Sequence, residues 1–317
     1  MKLLFELSGE HPDLPFSELE CVGTITERRN QIAVVECPDV AKTRRLALTH
    51  VIMEYLGECG PTPDDLETLL RDLAIKTEKP FVARVKKMND SPVQATQLDL
   101  ERLIGSGIDG PVSLSSPEEE YRAVFSGDHC YLGKVLCRID RGSFAYRDPV
   151  RRPFFHPGVM MPIMARSLVN LSLVEEGDLF YDPFCGTGGG MLEADMLGVR
   201  VIGSDMDPVM IAGCRQNLPD SELASADATC LPMKDNSVDA VVTDLPYGQS
   251  VCIRAESMEK LYDRSLAEIR RVLKPGRRAV VVTHLDITEI AARYFTVLQF
   301  HNQRVHKSLT RRIMVLG

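Results

Sequence analysis

Residues 178–190 read Asp-Leu-Phe-Tyr-Asp-Pro-Phe-Cys-Gly-Thr-Gly-Gly-Gly, a short apolar strand pattern that runs into a turn of glycines. Glycines in such a turn let the backbone approach a ligand closely at the start of a helix. The next strand pattern ends at Asp205, 19 residues after Gly186, which is close to the spacing at which an acid binds the hydroxyls of a ribose. The stretch therefore predicts a nucleotide-type ligand on an α/β domain.

The patterns that follow predict a doubly wound parallel sheet with an antiparallel edge. Residues 238–244 form a β-branched apolar run, typical of a strand buried on both faces. Residues 257–273 predict a helix and residues 278–283 a fifth strand. The last two strand patterns, 296–300 and 313–316, have no long helix between them, which indicates a closing hairpin.

Four acids end or follow strands of this predicted sheet. In an open α/β sheet the ligand crevice lies at the carboxyl ends of the strands, so we expect these side chains to face one crevice. An acid in one such position carries little information, whereas four in register favour a cofactor site. The four acids are Asp182, Asp205, Asp227 and Asp244.

The run Asp244-Leu245-Pro246-Tyr247-Gly248 places an acid, a stiff turn and an aromatic ring at one sheet edge. The carboxylate and nearby backbone carbonyls can accept hydrogen bonds from an amino group. The ring can stack on a flat base. Taken alone, the run fits a strand-ending acid and a Pro-Tyr turn equally well.

The first half of the chain has strand and helix patterns but no catalytic constellation. Residues 2–55 predict the order strand–helix–strand–strand–helix–strand of a split βαβ unit, with helices at 15–22 and 40–48. A helix from Pro63 follows, and further elements are expected at 81–86, 93–105, 111–114, 121–125 and 131–136. We interpret this half as a binding or positioning module, joined to the second half by an Arg- and Pro-rich linker over residues 140–158.

Composition excludes several classes of protein. The chain has 317 residues, enough for two or three domains. No apolar run reaches the length of a membrane span and no signal-peptide pattern opens the chain, so we expect a cytoplasmic protein. Nine cysteines without a C-x-x-C pair indicate neither a zinc site nor a disulfide framework, and we expect no metal.

Net charge gives an ambiguous indication of nucleic-acid binding. The chain carries −8, of which residues 1–150 contribute −7, and this argues weakly against a nucleic-acid partner. Basic residues are nevertheless clustered, which is more often the mark of a solvated face. The clusters cover residues 84–87, 138–152, 270–278 and 304–312.

Three motifs resemble those of the S-adenosylmethionine (SAM)-dependent methyltransferases. Residues 182–189 resemble their first motif, and residues 244–247 resemble the [Asn/Asp/Ser]-x-Pro-aromatic motif of enzymes that methylate exocyclic amino groups. Phe154-Phe155-His156-Pro157-Gly158 resembles the methionine-side motif of one branch. With the opening residues 7–12 and the closing residues 305–312, the whole chain resembles the archaeal tRNA guanine-N2 methyltransferases that act at position 10.

The resemblance implies a Rossmann-like SAM-dependent methyltransferase domain behind an N-terminal ferredoxin-like plus THUMP α+β region. The implied boundaries are 1–60 for the ferredoxin-like domain, 61–142 for the RNA-binding THUMP domain, 143–155 for a linker and 156–317 for the methyltransferase domain. The implied cofactor is SAM and the implied partner is tRNA. The oligomeric state and the need for a small activator subunit stay open.

The resemblance also assigns roles to residues. The catalytic residues are Asp244, Leu245, Pro246 and Tyr247. The cofactor-binding residues are Phe155, His156, Pro157, Asp182, Pro183, Phe184, Cys185, Gly186, Thr187, Gly188, Asp205, Met206, Asp227 and Ala228. Within that set, Asp205 would hold the ribose hydroxyls, Asp227 the adenine amino group, and the 182–188 turn with His156 the methionine part. The weaker RNA-binding assignments are Arg84, Lys86, Lys87, Arg151 and Arg152.

The predicted reaction is transfer of a methyl group from SAM to the N2 amino group of a guanosine in tRNA. The product would be N2-methylguanosine or N2,N2-dimethylguanosine. Competing hypotheses are a guanine-N2 methyltransferase for another tRNA position or for ribosomal RNA, and a DNA adenine-N6 methyltransferase. A catalytically silent RNA-binding subunit and an NAD enzyme are the alternatives from other classes.

Overall fold

The computed structural model describes residues 1–247, 258–306 and 309–317, without the side chain of His306. Two predicted motifs are therefore cut, because Gly248, Lys307 and Ser308 lie outside the described residues. The chain divides into two compact units, one of residues 1–44 with 48–140 and one of residues 45–47 with 141–317. Where the chain is described, no helix has the length and apolar character needed to cross a membrane.

The first unit is built on one seven-stranded sheet. Its elements are β1 (Lys2–Leu7), α1 (Leu14–Glu18), β2 (Thr24–Arg29), β3 (Ile32–Glu36), β4 (Thr49–Cys59), α2 (Pro63–Leu73), β5 (Phe81–Lys87), α3 (Gln97–Gly107), β6 (Glu119–Ser126) and β7 (His129–Arg138). The strand order is β2-β3-β1-β4-β7-β6-β5. All neighbours are antiparallel except the parallel pair β5 and β6.

Side-chain caps set where the two long helices of this unit begin. The Thr62 hydroxyl accepts a hydrogen bond from the Asp65 amide at 3.2 Å, and the Asp65 carboxylate accepts one from the Thr62 amide. This capping box starts α2, and Thr96 caps α3 by accepting from the Asp99 amide. The apolar faces of both helices pack with residues of β5, β6 and β7 in one core.

Two predicted elements of the first unit differ from the structure. Residues 40–48 were expected to form a helix, but only a 3-10 helix forms, at Val40–Arg45. The expected strand at 111–114 is wrong, since only Val112 makes an isolated bridge, to Phe81. Val112 and Leu114 are exposed, because a single bridge gives the segment no continuous partner that would bury its apolar side chains.

The second unit contains another seven-stranded sheet, and its elements confirm the predicted Rossmann-like fold. They are α4 (Pro162–Leu171), β8 (Leu179–Asp182), α5 (Gly189–Asp195), β9 (Arg200–Asp205), α6 (Pro208–Asn217), β10 (Glu222–Ser225), β11 (Val238–Asp244), α7 (Met258–Val272), β12 (Leu273–Thr283), α8 (Thr288–Ala291), β13 (Val297–His306) and β14 (Leu309–Leu316). The order is β10-β9-β8-β11-β12-β14-β13. Strands β8 to β12 are parallel, and β14 joins them antiparallel as the edge hairpin with β13.

The segment predicted as a linker, 143–155, is a folded part of the second unit. Two 3-10 helices, Arg141–Arg147 and Pro149–Arg151, cover most of it. Arg147 Nε donates to the fully buried Glu193 carboxylate at 2.7 Å, and Arg166 Nη2 lies 2.9 Å from the same carboxylate. Breaking the contact between a buried carboxylate and its two guanidinium partners would leave an unpaired buried charge, which is costly. This contact therefore fixes the segment against α4 and α5.

Candidate active site

The carboxyl ends of β8, β9 and β11 open into a cavity of about 830 Å³. This volume is within the range of small-molecule sites. The four acids named from the sequence, Asp182, Asp205, Asp227 and Asp244, all line it. Other predicted residues that line it are His156, Pro157, Pro183, Phe184, Cys185, Gly186, Thr187, Met206, Ala228 and Pro246.

Four predicted site residues do not line the cavity. Gly188 belongs to the glycine turn but does not line the cavity, and Phe155 is an exposed side chain outside the wall. Leu245 is buried in the apolar core beneath α7, and Tyr247 lies beside the cavity. The structure thus brings all four predicted acids to one cavity, and it places these four residues around that cavity and not on its wall.

The glycine turn adopts a backbone shape that side chains disfavour. Gly186 and Gly188 have φ angles of +50° and +82°, in the left-handed region. A Cβ atom on Gly188 would lie 2.7 Å from the Cys214 sulfur, so the position is closed to larger residues by contact as well as by φ. The turn therefore holds one fixed shape at the cavity wall.

Asp205 locks the glycine turn to the end of β9. Its Oδ2 atom accepts a hydrogen bond from the Gly186 amide at 3.0 Å, and Oδ1 accepts one from the Asp207 amide at 2.9 Å. Burial raises the pKa of this carboxyl. Asp227 is exposed, and its Oδ1 atom accepts bonds from the Thr229 amide and hydroxyl, both at 2.9 Å.

Asp182 is the most enclosed of the four acids. Its Oδ1 atom accepts hydrogen bonds from the Thr243 hydroxyl at 2.7 Å and from the Phe184 amide at 3.1 Å. Burial raises the pKa of Asp182 to about 7, against the lowering effect of these two bonds. The Thr243 bond ties the ends of β8 and β11 together, so the two strands present their acids at a fixed separation.

Asn217 holds the Phe154 segment against the glycine turn. Its Nδ2 atom donates to the Phe154 carbonyl at 3.0 Å and to the Thr187 carbonyl at 2.9 Å, while Oδ1 accepts from the Phe154 amide at 2.9 Å. These bonds place His156 and Pro157 on the cavity wall. Sequence reasoning missed Asn217, because a lone Asn at the end of a helix gives no signal of a distant partner.

The Asp244 turn is held by its backbone. The Leu245 amide donates to the Val282 carbonyl at 2.8 Å, and the Tyr262 hydroxyl donates to the Pro246 carbonyl at 2.6 Å. Asp244 Oδ1 is shut off from solvent and has no hydrogen-bond partner among the described residues. Burial raises the pKa of Asp244 to about 6, while the neighbouring Tyr247 hydroxyl and the Arg311 charge lower it.

Tyr247 packs on a histidine from the next strand end. The ring centroids of Tyr247 and His284 are 4.8 Å apart with a tilt of 41°. Within the described part of the chain, the Tyr247 hydroxyl is buried without a hydrogen-bond partner. Burial raises the pKa of this phenol, so it is protonated and able to donate across the neutral pH range.

The wall also contains residues that the sequence did not single out. Lys260, Leu261 and Arg264 of α7 line the cavity, on a helix that buries Tyr262 on its other side. Their spacing is that of one helix face, a signal present in the sequence. What the sequence could not give is which sheet edge that face would overlook.

Three predicted RNA-binding residues lie on β5, and two of them have partners within the protein. Arg84 lies 3.7 Å from the Glu101 carboxylate, and the Lys87 ammonium donates to the Ala95 carbonyl. Lys86 is exposed.

Of the other two predicted RNA-binding residues, one is exposed and one has a partner within the protein. Arg151 is exposed, whereas Arg152 is only 9% exposed and donates from Nε to the Arg147 carbonyl at 3.0 Å. Exposed cations are those that can reach a phosphate backbone without rearrangement. Lys86 and Arg151 therefore keep that capacity.

An α/β unit with a left-handed glycine turn, a ribose-spaced acid and a strand-ending Asp-x-Pro-Tyr run has the architecture of the SAM-dependent methyltransferases. A family model described as UPF0020, an RMKL-like methyltransferase domain, matches residues 149–313. A tRNA (guanine(10)-N2)-dimethyltransferase from Methanothermobacter thermautotrophicus is 35% identical, over 100% of this chain and 99% of the relative. One from Pyrococcus abyssi is 30% identical over 98% of both chains. The chain therefore belongs to the RMKL-like methyltransferase family, in the branch that contains the archaeal tRNA (guanine(10)-N2)-dimethyltransferases.

Solved structures share the fold over the whole chain. TrmN from Thermus thermophilus has a TM-score of 0.54 at 21% identity, covering 100% of this chain and 99% of its own. SMU.472, a methyltransferase described as complexed with SAH, has a TM-score of 0.50 at 13% identity, covering 99% of this chain and 97% of its own. Such likeness at low identity supports the two-unit architecture, with a methyltransferase fold in the second unit.

Proposed function

We propose that this enzyme transfers methyl groups from SAM to the N2 amino group of a guanosine at position 10 of tRNA, with N2,N2-dimethylguanosine as the final product. The observation that carries the proposal is the buried, unpartnered Oδ1 atom of Asp244, on a carboxylate that lines the same cavity as Asp205 and Asp227. The names of the full-length relatives support the base, the position and the double methylation.

The residues around the glycine turn fit SAM. Asp205, held by the Gly186 and Asp207 amides, is placed to accept bonds from ribose hydroxyls, and Asp227 keeps an oxygen for the adenine amino group. At Gly186 the backbone lines the cavity without a side chain, and the methionine part of SAM would lie there. When bound, SAM supplies a methyl group activated by a sulfonium.

Asp244 would activate the N2 amino group of guanine, which is a poor nucleophile. An exocyclic amine shares its lone pair with the purine ring, so it attacks only when its geometry is controlled. In the first transfer, hydrogen bonds from the two N–H groups to Asp244 and to the Leu245 carbonyl would turn the lone pair toward the donor. The Asp244 carboxylate would then stabilise the positive charge that develops on N2, a contribution realised mainly in the transition state.

Proton removal needs no strong base in this scheme. The amine that has gained a methyl group is strongly acidic, so its proton can pass to Asp244 or to water. This fits a carboxylate whose pKa is raised only to about 6 by burial. In-line positioning is then the main demand on the protein.

The target guanine must leave its helix to reach this cavity. Tyr247 has one face against His284, and we propose that its ring supports the extruded base by stacking. Base stacking on an aromatic side chain contributes about 1–3 kcal/mol. Replacing Tyr247 with Ala should raise KM for tRNA and lower kcat while SAM affinity is kept; unchanged steady-state kinetics would remove the stacking role.

The test of the function is direct. Unmodified tRNA transcript is incubated with methyl-labelled SAM, digested and analysed as nucleosides. We expect label in N2-methylguanosine first and N2,N2-dimethylguanosine later, and no label when position 10 of the transcript carries adenosine. Label in another nucleoside, or undiminished label in the adenosine transcript, would refute the proposal.

We further propose that Lys86 and Arg151 contribute phosphate contacts, with residues 1–140 positioning the tRNA. Both side chains are exposed, whereas Arg84, Lys87 and Arg152 are engaged within the protein. Each phosphate contact removed should lower the salt-dependence slope of tRNA binding by about 1. Binding isotherms of Lys86→Ala and Arg151→Ala at several salt concentrations test this, and slopes equal to that of the parent would contradict it.

A further inference from the structure

A set of buried polar atoms at the strand ends around Asp244 has no hydrogen-bonding role in the mechanism above. Tyr247 Oη, His284 Nδ1, Gln303 Oε1 and Arg311 Nε are all closed to solvent and have no hydrogen-bond partner in the described ranges 1–247, 258–306 and 309–317. Buried polar groups in native proteins are nearly always hydrogen-bonded. Several such groups without partners in one place indicate where a polar ligand completes the structure.

These atoms come from three separate pieces of the second unit that meet at one sheet edge. Tyr247 follows β11 and contacts the His284 ring, which follows β12. Gln303 and Arg311 are direct partners across the β13–β14 hairpin, so they share one face of it. The neighbouring Arg312 pairs with Thr283 and donates to the His284 carbonyl, which fixes the hairpin against the end of β12.

Arg311 is the member of this set that acts on the catalytic carboxylate. Its charge lowers the pKa of both Asp244 and Tyr247. Its Nε atom is a buried donor without a hydrogen-bond partner among the described residues. A guanidinium can only donate, so whatever occupies the space beside Asp244 must offer an acceptor to it.

Guanine offers that acceptor in the required place. On its Watson–Crick edge the N2 amino group and the O6 oxygen lie on either side of N1, so a base held through N2 at Asp244 presents O6 a short distance along the same edge. Arginine is the commonest partner of guanine O6 in nucleic-acid recognition. Adenine and 2,6-diaminopurine carry an amino group in place of O6, so a donor on the base would face the donors of the Arg311 guanidinium.

We propose that Arg311 donates a hydrogen bond to O6 of the target guanine and thereby restricts methyl transfer to guanine among purines that carry a 2-amino group. This inference rests on the proposed function. It makes Arg311 a substrate-recognition residue on the closing hairpin, a region with no assigned role in the site.

The experiment compares tRNA with guanosine and tRNA with 2-aminopurine at the target position. 2-Aminopurine keeps the 2-amino group and lacks O6. For the parent enzyme kcat/KM should favour guanosine, and Arg311→Met should lower that preference about 10- to 100-fold, the usual effect of one charged hydrogen bond. The loss should be larger on the guanosine substrate, because 2-aminopurine has no bond to O6 to lose.

Arg304→Met is the matched control. Arg304 lies on the same hairpin one residue after Gln303, is exposed, and pairs in register with Thr310. Loss of a charge there can weaken RNA binding for both substrates equally, but should leave the guanosine preference unchanged. An equal loss on both substrates in Arg311→Met, or no loss on either, would overturn the inference.

A measurement on the parent enzyme alone covers the case in which Arg311→Met fails to fold or to bind SAM. With 2,6-diaminopurine at the target position, an amino group faces Arg311 in place of O6. This substrate should be methylated more slowly than the 2-aminopurine one; an equal or faster rate would overturn the inference. Failure of the parent enzyme to methylate the guanosine transcript would instead refute the proposed function.

Discussion

The two halves of the candidate site differ in how many of their polar groups already have hydrogen-bond partners. In the cofactor half, residues 182–190 and 205–207, the carboxylates of Asp182 and Asp205 each accept two hydrogen bonds from the protein. In the acceptor half, formed by Asp244 on the cavity wall with Tyr247, His284 and Arg311 beside it, each residue has a buried polar atom without a partner in the described chain. The polar groups of the first half are thus bonded before any ligand arrives, whereas those of the second are the ones that we propose the substrate completes.

The largest effect should come from breaking the acceptor half at Asp244. Asp244→Asn keeps the shape but loses the charge that stabilises the developing cation, so we expect kcat to fall about 10³-fold. SAM affinity should change less than about twofold, since an isosteric change at this position leaves the bonds of the cofactor half intact. Single-turnover kinetics with tRNA and calorimetric titration with SAM measure the two quantities. Substantial residual turnover would remove Asp244 from the reaction.

The rigidity of the cofactor half can be tested at Gly188. Gly188→Ala combines a left-handed backbone with a Cβ position 2.7 Å from the Cys214 sulfur, and should lower the free energy of unfolding by about 2–4 kcal/mol. Gly177→Ala is the control, because Gly177 has the same φ of +82° and open space around it. It should cost only about 1–2 kcal/mol. Equal losses in urea unfolding would show that the sulfur contact does not constrain the turn.

Asp205 tests whether the bonded half is also the SAM-binding half. Asp205→Ala removes the carboxylate that holds the Gly186 and Asp207 amides, and should raise the Kd for SAM about 10- to 100-fold. Asp220→Ala, an exposed acid of the same unit, should leave the Kd unchanged. Isothermal titration of both variants decides the point, and an unaltered Kd in Asp205→Ala would place the cofactor elsewhere.

The same comparison explains how far the sequence could predict this molecule. The cofactor half was predictable because its signals are local: a strand, a glycine turn and acids at strand ends all lie within short stretches. The acceptor half was predictable only at Asp244 to Tyr247. Arg311 is brought near Asp244 by the pairing of β12 with β14, which no local pattern encodes.

Long-range contacts also account for the other differences. The segment expected to be a linker is folded because of the Arg147–Glu193–Arg166 contact. The sequence did not predict this, because ion pairs between distant residues produce no periodic pattern. The strand expected at 111–114 had suitable residues but lacked a continuous partner strand. In both cases the tertiary partner, which one sequence does not reveal, decided the local structure.

The last prediction concerns the cost in folding stability of the buried Asp244 carboxylate in the acceptor half. Burial raises the pKa of Asp244 to about 6, against about 3.9 in an unfolded chain. Between these values the native state holds a proton that the unfolded state has released, so this group lowers the free energy of unfolding as pH rises from about 4 to about 6. Above pH 6 the cost is constant.

Asp244→Asn removes that ionisation and should therefore be more stable than the parent at pH 8, by up to about 3 kcal/mol. The gain should vanish at pH 4, where the parent carboxyl is protonated in the native state. Urea unfolding at the two pH values measures the difference, with Asp220→Asn as an exposed control that should show no gain at either. A gain of equal size at both pH values would mean that packing, and not the buried charge, causes the loss of stability. A gain confined to pH 8 would show that the ionised Asp244 carboxylate lowers the free energy of unfolding of the parent.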